Sequence, residues 1–395
     1  MHHPIRTLTL GIAEPHPLSS QTIAQAATLL HNAQTHFTNE GYEVQTVRIS
    51  TRPLFDDLTG WSQARIYGYT KELQQQLDDV QVAFCSLGTV QAARPATPLD
   101  QIEQVVDILA ATSALNMTVQ LADVEHGIRE EAALPVAQVI QRLAHETEEG
   151  SGNFRFAMLA CVAPGSPFFP SAYHDGPTSL SLGLQGAGIV ADAITRLHQE
   201  RGQGASLPYF SGVLREELLA QAQPVVELAQ TIAHENALKF GGIDLSPAPM
   251  ADDSIVAALE QYGMGRFGEA GTLAVSAAIT AALKSTNLPT CGYNGLMLPV
   301  LEDRLLGQRW SEGHINAHQL LLYSAVCGTG LDTVPFPADT PVNEVARLLL
   351  DVATLAVRLN KPLSARLFPV PNVREGTYTE FRSPYLTNTI LRRLF

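Results

Sequence analysis

Polar side chains that can do acid–base chemistry are concentrated in three turns in the last two-fifths of the chain: the first at 242–249, the second at 291–303 and the third at 324–335. The carboxylates of these turns are Asp244, Glu302, Asp303 and Asp332. Carboxylates that lie close together raise one another's proton affinity, which can poise one of them as a general acid. Their oxygens are also the ligands that Mg²⁺ and Ca²⁺ prefer. Two chemistries stay open: acid–base catalysis by all four residues, or a Mg²⁺ or Ca²⁺ ion held by Asp244, Glu302 and Asp332.

The same turns carry residues suited to binding a substrate. Glycine lets the backbone turn tightly or approach a ligand, and hydroxyl and amide groups supply hydrogen bonds. The predicted substrate-binding residues are Ser246, Gly292, Tyr293, Asn294, Gly295, Gly328, Gly330 and Thr333. Because binding sites are often built from loops, we expect the three turns to meet at one cavity that takes a small-molecule ligand.

Two cysteines and one histidine are further candidates for catalysis. Cys291 and Cys327 lie in the second and third turns, and either could be a nucleophile if an electropositive neighbour stabilised its thiolate. The flanking sequence is mostly acidic, so an inert buried thiol is the alternative for each. His174 closes an aromatic, proline-rich segment and precedes Asp175, so it could act beside a carboxylate. A packed structural loop is the alternative there.

One glycine-rich segment matches the sequence pattern of a cofactor-binding loop but not its structural context. Residues 263–268 have the G-x-G-x-x-G spacing of dinucleotide-binding loops. Such a loop must follow a strand, whereas residues 253–262 have the apolar periodicity of a helix. P-loop, zincin and hydrolase motifs do not occur in the chain. The cofactor therefore stays unknown, apart from the Mg²⁺ or Ca²⁺ alternative.

Apolar strands and amphipathic helices alternate along the chain, which predicts an α/β fold. Strands are predicted at 5–12, 43–50, 117–121, 154–162, 241–245 and 365–370. Helices are predicted at 21–39, 99–112, 185–200, 212–236, 253–262, 272–284, 315–326 and 342–360. Ser19 and Gly41 bracket the first helix as its cap and its stop signal.

The composition excludes several classes of protein. The 395 residues include 25 Lys and Arg and 39 Asp and Glu, which gives a net charge of −14. This negative charge opposes binding of nucleic acid. The longest nearly apolar stretch, 271–283, is shorter than the roughly 20 residues of a membrane span, so we expect no membrane partner. No secretory signal is visible and the 4 cysteines are scattered, which predicts a cytoplasmic protein. Helices 272–284 and 342–360 are apolar enough to form a homo-oligomer interface.

Several segments in combination resemble a known family. These segments are 168–174, 181–184, 244–249 with Asp253 and Ser254, 271–274, 295–303 and 321–335. They are similar to the domain of unknown function 711 family over most of the chain. The resemblance implies a single α/β barrel domain over 1–395, with ten strands in two half-barrels and a loop in the interior, of the pyruvate formate-lyase-like type. We expect the half-barrel boundary near 146–166.

The implied fold also raises the question of radical chemistry. Glycyl radical enzymes resemble one another in an R-V-[S/A]-G-Y loop near the C-terminus. The nearest string here is 374–378, where Gly376 is displaced from the motif position, so we expect no stored radical. The turns of Cys291 and Cys327 would correspond, by position alone, to the thiol-bearing loop of the radical relatives.

The leading hypothesis is a cytoplasmic, non-radical α/β-barrel enzyme. It would act on a small molecule by carboxylate acid–base chemistry or with the help of a divalent cation. A metabolite-binding regulatory protein without catalysis is one alternative, and a mainly structural homo-oligomer is another. The sequence identifies neither the substrate nor the reaction.

Overall fold

A sheet of ten strands is the framework of the protein. The structure is a computed structural model and describes residues 2–395. The strands are β1 (Ile5–Gly11), β2 (Val47–Ser50), β3 (Cys85–Val90), β4 (Leu115–Asp123), β5 (Gly127–Ile128), β6 (Phe156–Ala160), β7 (Ser179–Leu184), β8 (Lys239–Asp244), β9 (Gly330–Pro337) and β10 (Leu363–Val370). Their order is β8-β7-β1-β2-β3-β4-β6-β10-β9, and the short β5 pairs with β4 outside this path.

The strands of the main path form two groups that run in opposite directions. β1, β2, β3, β4 and β6 are parallel to one another. β7 and β8 lie beside β1, β10 and β9 lie beside β6, and these four strands run the other way. Along the chain, the direction of these main strands therefore changes once, between β6 and β7.

The sheet is open, so the expectation of a closed barrel is met only in part. β8 and β9 are its outer strands and do not pair with each other. Residues 288–300 run between them and make one isolated parallel bridge on each side, Ile243 with Thr290 and Pro299 with Asp332. Proline has no N–H to donate to a ladder, so Pro289 and Pro299 limit regular pairing of this segment. What the structure shows is a mixed α/β fold with an open ten-stranded sheet.

Helices connect the strands. They are α1 (Ser20–Asn39), α2 (Leu54–Asp57), α3 (Gln63–Asp79), α4 (Asp100–Ala110), α5 (Ala133–Glu146), α6 (Ala187–Arg201), α7 (Leu207–Glu235), α8 (Ile255–Gln261), α9 (Thr272–Lys284), α10 (Arg304–Glu312), α11 (Ala317–Val326) and α12 (Val342–Leu359). Short 3₁₀ turns occupy Glu130–Ala132 and Glu148–Phe154. Within residues 2–395 no helix combines the length and the apolar character that crossing a membrane requires.

Local signals account for most of these elements. The Ser19 hydroxyl accepts a hydrogen bond from the backbone N–H of Thr22 at 3.1 Å and caps α1, as predicted. Helix α7 begins at Leu207 rather than at Gly212, because Pro208 is tolerated in a first turn. The pattern does not predict α3, α5 or α10; Gly307 inside α10 weakens its helical signal.

Two irregular segments, 163–178 and 288–300, pack over the sheet and are called here the inner segments. The Thr9 hydroxyl of β1 donates to the carbonyl oxygen of Pro167 at 2.9 Å, which fixes the first segment to the sheet. Phe168 of that segment forms one apolar cluster with Ala248 and with Met297 of the second segment. These contacts bring the loops that follow β6 and β8 together over one region of the sheet.

Candidate functional site

A cavity of about 300 Å³ lies between the sheet and the inner segments and is called here the central cavity. Strand residues give it a polar side, formed by Arg6, Arg48, Asn116, Asp332, Ser364 and Arg366. Loop and C-terminal residues give it an apolar side, formed mainly by Phe84, Phe154, Phe168, Phe169, Pro170, Ala248, Met297 and Tyr385. A concave, mostly apolar site with a few convergent polar groups is the usual form of a small-molecule site.

Arg366 joins two of the predicted carboxylates in this cavity. Its Nε donates to Oδ1 of Asp332 at 2.6 Å, and its Nη2 donates to Oε1 of Glu302. Arg6 pairs with the other oxygen of Glu302 at 3.2 Å. Burial acts to lower the pKa of Arg366, but the charges of Asp332 and Glu302 outweigh burial and raise that pKa. Both oxygens of Glu302 are therefore bound, whereas Oδ2 of Asp332 has no hydrogen-bond partner among residues 2–395.

Arg48 is a third cation of the cavity, and it is held differently. Its Nε donates to the hydroxyl of Thr46 at 3.0 Å, and its guanidinium carbon lies 5.3 Å from the ring centre of Phe84 and 5.1 Å from that of Phe169. The side chain is buried, yet it forms no ion pair with a carboxylate of the described chain. Burial, reinforced by the charges of Arg6 and Arg366 and partly offset by the charge of Glu302, lowers the pKa of Arg48 to about 9, so it is still a cation at pH 7.

Two buried hydroxyls in the cavity lining have no hydrogen-bond partner within residues 2–395, the phenol of Tyr293 and Oγ1 of Thr329. Burial raises the pKa of Tyr293, so its phenol stays protonated at neutral pH. The hydroxyls of Ser171 and Ser364 are near the phenol, but neither makes a hydrogen bond with it. An unpaired buried polar group costs about 1–3 kcal/mol, so both hydroxyls are candidates for contact with a ligand.

Asp244 holds the first two polar turns together. Its carboxylate accepts hydrogen bonds from the backbone N–H groups of Tyr293 at 2.7 Å and Asn294 at 3.1 Å. It also accepts from the N–H of Ser246 at 2.9 Å and from its hydroxyl at 2.6 Å. Burial raises the pKa of Asp244, and these donors act against that rise. Asp244 does not line the central cavity, so it acts on the site by positioning Tyr293.

The predicted glycines mark places where the turns approach one another closely. Gly292, Gly295, Gly328 and Gly330 all leave too little space for a side chain. A Cβ on Gly295 would lie 2.6 Å from the backbone nitrogen of Gly328, so the second and third turns meet backbone to backbone. A Cβ on Gly330 would lie 2.0 Å from the carbonyl oxygen of Ser364. The glycines therefore bring the turns together, and none of them lines the cavity.

Four other predicted residues have local contacts outside the cavity lining. Asp303 caps α10, because its Oδ1 accepts from two backbone N–H groups of the first turn at 3.0 and 3.1 Å. Ser246 Oγ accepts from the N–H of Gly295 at 3.1 Å, and Asn294 Nδ2 donates to the carbonyl of its own turn at 2.8 Å. The Thr333 hydroxyl accepts a backbone hydrogen bond at 3.2 Å. These structural contacts are enough to account for the four residues, so none of them needs a chemical role.

The two candidate thiols lie outside the central cavity as well. Cys327 is buried at the end of α11, and its Sγ lies 2.8 Å from the carbonyl oxygen of Tyr323. Burial raises the pKa of Cys327 to about 12. Burial, together with the charge of Asp244, also raises the pKa of Cys291. A thiol with a raised pKa is a poor nucleophile at neutral pH, so these surroundings favour the alternative of inert buried thiols.

His174 lies in a different cavity from the three turns. The inner segment 163–178 passes between two cavities, so that Phe168 lines the central one and His174 lines the other. The imidazole packs under Gly11, where an added Cβ would lie 2.1 Å from Nδ1. Burial lowers the pKa of His174, and its Nε2 lies 3.2 Å from the carbonyl oxygen of Gly176. The structure therefore does not bring His174 together with the carboxylates.

The predicted metal ligands do not fit a Mg²⁺ or Ca²⁺ ion. The oxygens of Asp244 accept four hydrogen bonds from the protein and lie outside the cavity. Between Glu302 and Asp332 lies the guanidinium of Arg366, which repels a second cation. Across residues 2–395 there is no group of at least three His, Cys, Asp or Glu side chains arranged to hold an ion.

The three arginines of the cavity are not among the residues predicted from the sequence. A signal was present, because each is the only charged residue of its strand: Arg6 in β1, Arg48 in β2 and Arg366 in β10. A charge in a short apolar strand has to find a partner or face a polar cavity, since an isolated buried charge is costly. Gly376, the displaced glycine of the radical motif, is exposed in the C-terminal residues.

Comparisons with known proteins identify the family. A family model described as "Uncharacterised ACR (DUF711)" matches residues 1–383. A "UPF0210 protein" of Clostridium beijerinckii is 25% identical over 405 residues, covering 95% of this chain and 88% of the relative. Another, of Pyrobaculum arsenaticum, is 31% identical over 298 residues, covering 72% and 63%.

One solved structure is also similar, the anaerobic ribonucleotide reductase from Thermotoga maritima in complex with dATP and CTP. It is 9% identical, with a TM-score of 0.30, and the match covers 97% of this chain and 76% of that chain. The family resemblance predicted from the sequence is confirmed by the family model: the chain belongs to the family described as Uncharacterised ACR (DUF711).

Proposed function

We propose that the central cavity is the active site of an enzyme that transfers a proton to or from a small molecule. The observation that carries the proposal is the carboxylate of Asp332. Arg366 holds its Oδ1 at 2.6 Å, while its Oδ2 has no hydrogen-bond partner in residues 2–395 and belongs to a side chain that lines the cavity. A carboxylate that is fixed on one oxygen and free on the other can act as a general base.

The neighbouring groups support this assignment. Glu302 is bound by Arg6 and Arg366 on both oxygens, so we assign it to fixing Arg366 rather than to taking a proton. The unpaired Tyr293 phenol is a protonated hydroxyl that can donate a hydrogen bond to a substrate oxygen. The apolar side chains of the lining lower the local polarity around these groups, which strengthens their electrostatic interactions.

A ligand-binding protein without catalysis is the second candidate. Arginines occupy both oxygens of Glu302, which favours this second candidate. Charges that are already paired can help to hold a ligand without reacting with it. We also propose that residues 288–300 complete a barrel of the pyruvate formate-lyase-like type between β8 and β9. Cytoplasmic location and assembly into a homo-oligomer stay predictions.

The test starts from the protein as purified. Native mass spectrometry looks for a retained small molecule, and thermal unfolding with neutral, cationic and anionic metabolites looks for stabilisation, because a ligand that binds only the folded state raises Tm. Each compound found is then incubated with the protein in D₂O and followed by proton NMR. We expect hydrogen–deuterium exchange or conversion, and we expect Asp332→Asn to keep binding but lose at least about 100-fold in rate.

The matched control is Asp339→Asn at an exposed position, which should leave both binding and rate unchanged. Binding without exchange or conversion would contradict catalysis and support the second candidate. Equal rates for the wild type and Asp332→Asn would exclude Asp332 as the base. If no compound is retained and none raises Tm, the central cavity is not a ligand site.

A further inference from the structure

We infer that the ligand of the central cavity is a small carboxylate whose anionic group pairs with Arg48. This inference rests on the proposed function, because it names the class of molecule that the cavity takes. It starts from the difference between Arg48 and the other two cavity arginines. Arg6 and Arg366 have carboxylate partners, whereas Arg48 has none among the described residues.

A buried guanidinium without a counter-ion is costly. Removing a charge from water costs several kcal/mol even after the protein relaxes, unless an opposite charge is near. The charge of Glu302 acts on Arg48 from beyond ion-pair distance, and because Glu302 is already paired with Arg6 and Arg366 it offsets only part of this cost. The direct contacts of Arg48 recover a further part, since they consist of one hydrogen bond to Thr46 and the faces of Phe84 and Phe169. Those two rings fix the guanidinium in place, so its planar edge is ready for a ligand without reorganisation.

The charge balance of the lining points to one negative charge on the ligand. The interior holds three cations, Arg6, Arg48 and Arg366, and two anions, Glu302 and Asp332. The remaining charged lining residue, Glu43, is exposed at the rim, where water screens it. A carboxylate brings one negative charge and matches the planar fork of Arg48 with two parallel hydrogen bonds. A phosphate monoester brings about 1.5–2 negative charges and would leave an excess.

The rest of the lining limits the remainder of the molecule. The guanidinium of Arg48 is flanked by rings, and the cavity continues along Phe154, Phe168 and Tyr385. A cavity of about 300 Å³ with this wall takes a small molecule that has an apolar or flat part. The free hydroxyls of Tyr293 and Thr329 can bind one further polar group of it.

The experiment compares matched probes on the full chain. The measured quantity is the rise of Tm with the concentration of the probe. The acids are acetate, benzoate and phenylacetate, and each is compared with its amide. Two further probes are 2-phenylethylamine and phenyl phosphate. We expect at least one acid to raise Tm where its amide and the amine do not. We expect Arg48→Met to weaken the binding of that acid at least about tenfold.

Arg48→Met has a second expected effect that needs no ligand. Because it removes an unpaired buried charge, the free protein should be as stable as the wild type or more stable, whereas loss of a merely structural arginine would lower Tm. Arg48→Lys keeps the charge without the fork and should bind the acid with intermediate strength. The exposed Arg358→Met is the control and should change neither Tm nor binding.

The outcomes separate the two proposals. If the acids and their amides raise Tm equally, or if only phenyl phosphate or the amine raises it, the carboxylate inference is wrong. The central cavity would still be a ligand-binding site. If an acid binds equally well to the wild type and to Arg48→Met, the anion site is not at Arg48. If none of these acids raises Tm and native mass spectrometry finds a retained molecule that carries no carboxylate, the inference is overturned and the proposed function survives; a retained carboxylate whose binding Arg48→Met weakens would support the inference. If neither method finds any ligand, both fail.

Discussion

At the scale of single residues, the partners of a buried carboxylate decide whether it holds the fold or faces a ligand. Asp244 accepts four hydrogen bonds from two turns and has no contact with the cavity. Asp332 is bound on one oxygen only and lines the cavity. The two residues look alike in the sequence, since each directly follows an apolar residue, Ile243 or Leu331, and lies next to a polar turn.

The first prediction concerns Asp244. We expect Asp244→Ala to lower the free energy of unfolding by about 3 kcal/mol, because it leaves buried N–H groups of Tyr293 and Asn294 without an acceptor. Urea unfolding measures the change. Asp339→Ala, at an exposed site, is the control and should stay within about 0.5 kcal/mol of the wild type. Equal stability of both variants would show that Asp244 does not hold the turns together.

The second prediction concerns the pH dependence caused by His16. Its ring is buried between Tyr69, at 2.7 Å from Nδ1, and Thr51, at 2.8 Å from Nε2. Burial lowers the pKa of His16 from 6.5 to about 4 in the folded protein. The unfolded chain therefore binds the proton first, so stability falls as the pH drops from 6.5 towards 4.

This His16 contribution should amount to about 2 kcal/mol between pH 7 and pH 5. Urea unfolding at both pH values measures it in the wild type and in His16→Gln. We expect the glutamine variant to lose that part of the pH dependence, and the exposed His36→Gln to keep it. If His16→Gln retained the full pH dependence, a group other than His16 would have to cause it.

At the scale of elements, the inner segment 288–300 decides how the site is assembled. It carries Tyr293 into the cavity and meets the third turn at Gly295 and Gly328. Proline and glycine keep it from pairing as a regular strand, so it can follow the shape of the cavity instead. The polar turns could be predicted to converge because each lies at the end of an apolar element, but the contact that joins them is between backbones.

The third prediction tests that backbone contact. In Gly295→Ala the new Cβ would lie 2.6 Å from the nitrogen of Gly328, so the two turns must move apart. We expect a loss of about 1–3 kcal/mol in the free energy of unfolding. Gly212→Ala, in helix α7 with open space around it, should instead stabilise the protein by about 0.4–1 kcal/mol. If Gly295→Ala were as stable as the wild type, the turns would not be in contact.

At the scale of the whole molecule, the C-terminal residues after β10 are part of the core. Leu391 and Phe381 are buried against Phe368 of β10 and Leu301. The backbone N–H of Thr387 donates to the carbonyl oxygen of Leu301 at 2.6 Å. This region thus packs directly behind the turn that carries Glu302. We therefore expect it to unfold together with the rest of the protein.

The fourth prediction follows from this packing. We expect Leu391→Ala to lower the free energy of unfolding by about 2–5 kcal/mol, because it opens a cavity in a fully buried cluster. Ile390→Ala changes the neighbouring residue, whose side chain is 38% exposed, and should cost much less. Urea unfolding compares the two variants. Equal losses would show that the C-terminal residues unfold independently of the sheet.

The sequence by itself determined the α/β class, the capped helix α1, most of the helices and the polar turns. These features depend on periodicity and on capping between residues a few positions apart, so the local chain is enough to specify them. The family resemblance added the ten strands. The sequence could also locate Glu302 and Asp332 among the candidates, since both stand in turns that are rich in polar groups.

Only the tertiary structure decided which charges face the cavity and which positions serve the fold. Arg6 and Glu302 are 296 positions apart, and no local pattern links them until the strands pair. The same packing placed His174 in another cavity, assigned Asp303 to a helix cap and left the sheet open between β8 and β9. The physical reason is that a charge takes its role from the partners around it, and those partners come from distant parts of the chain.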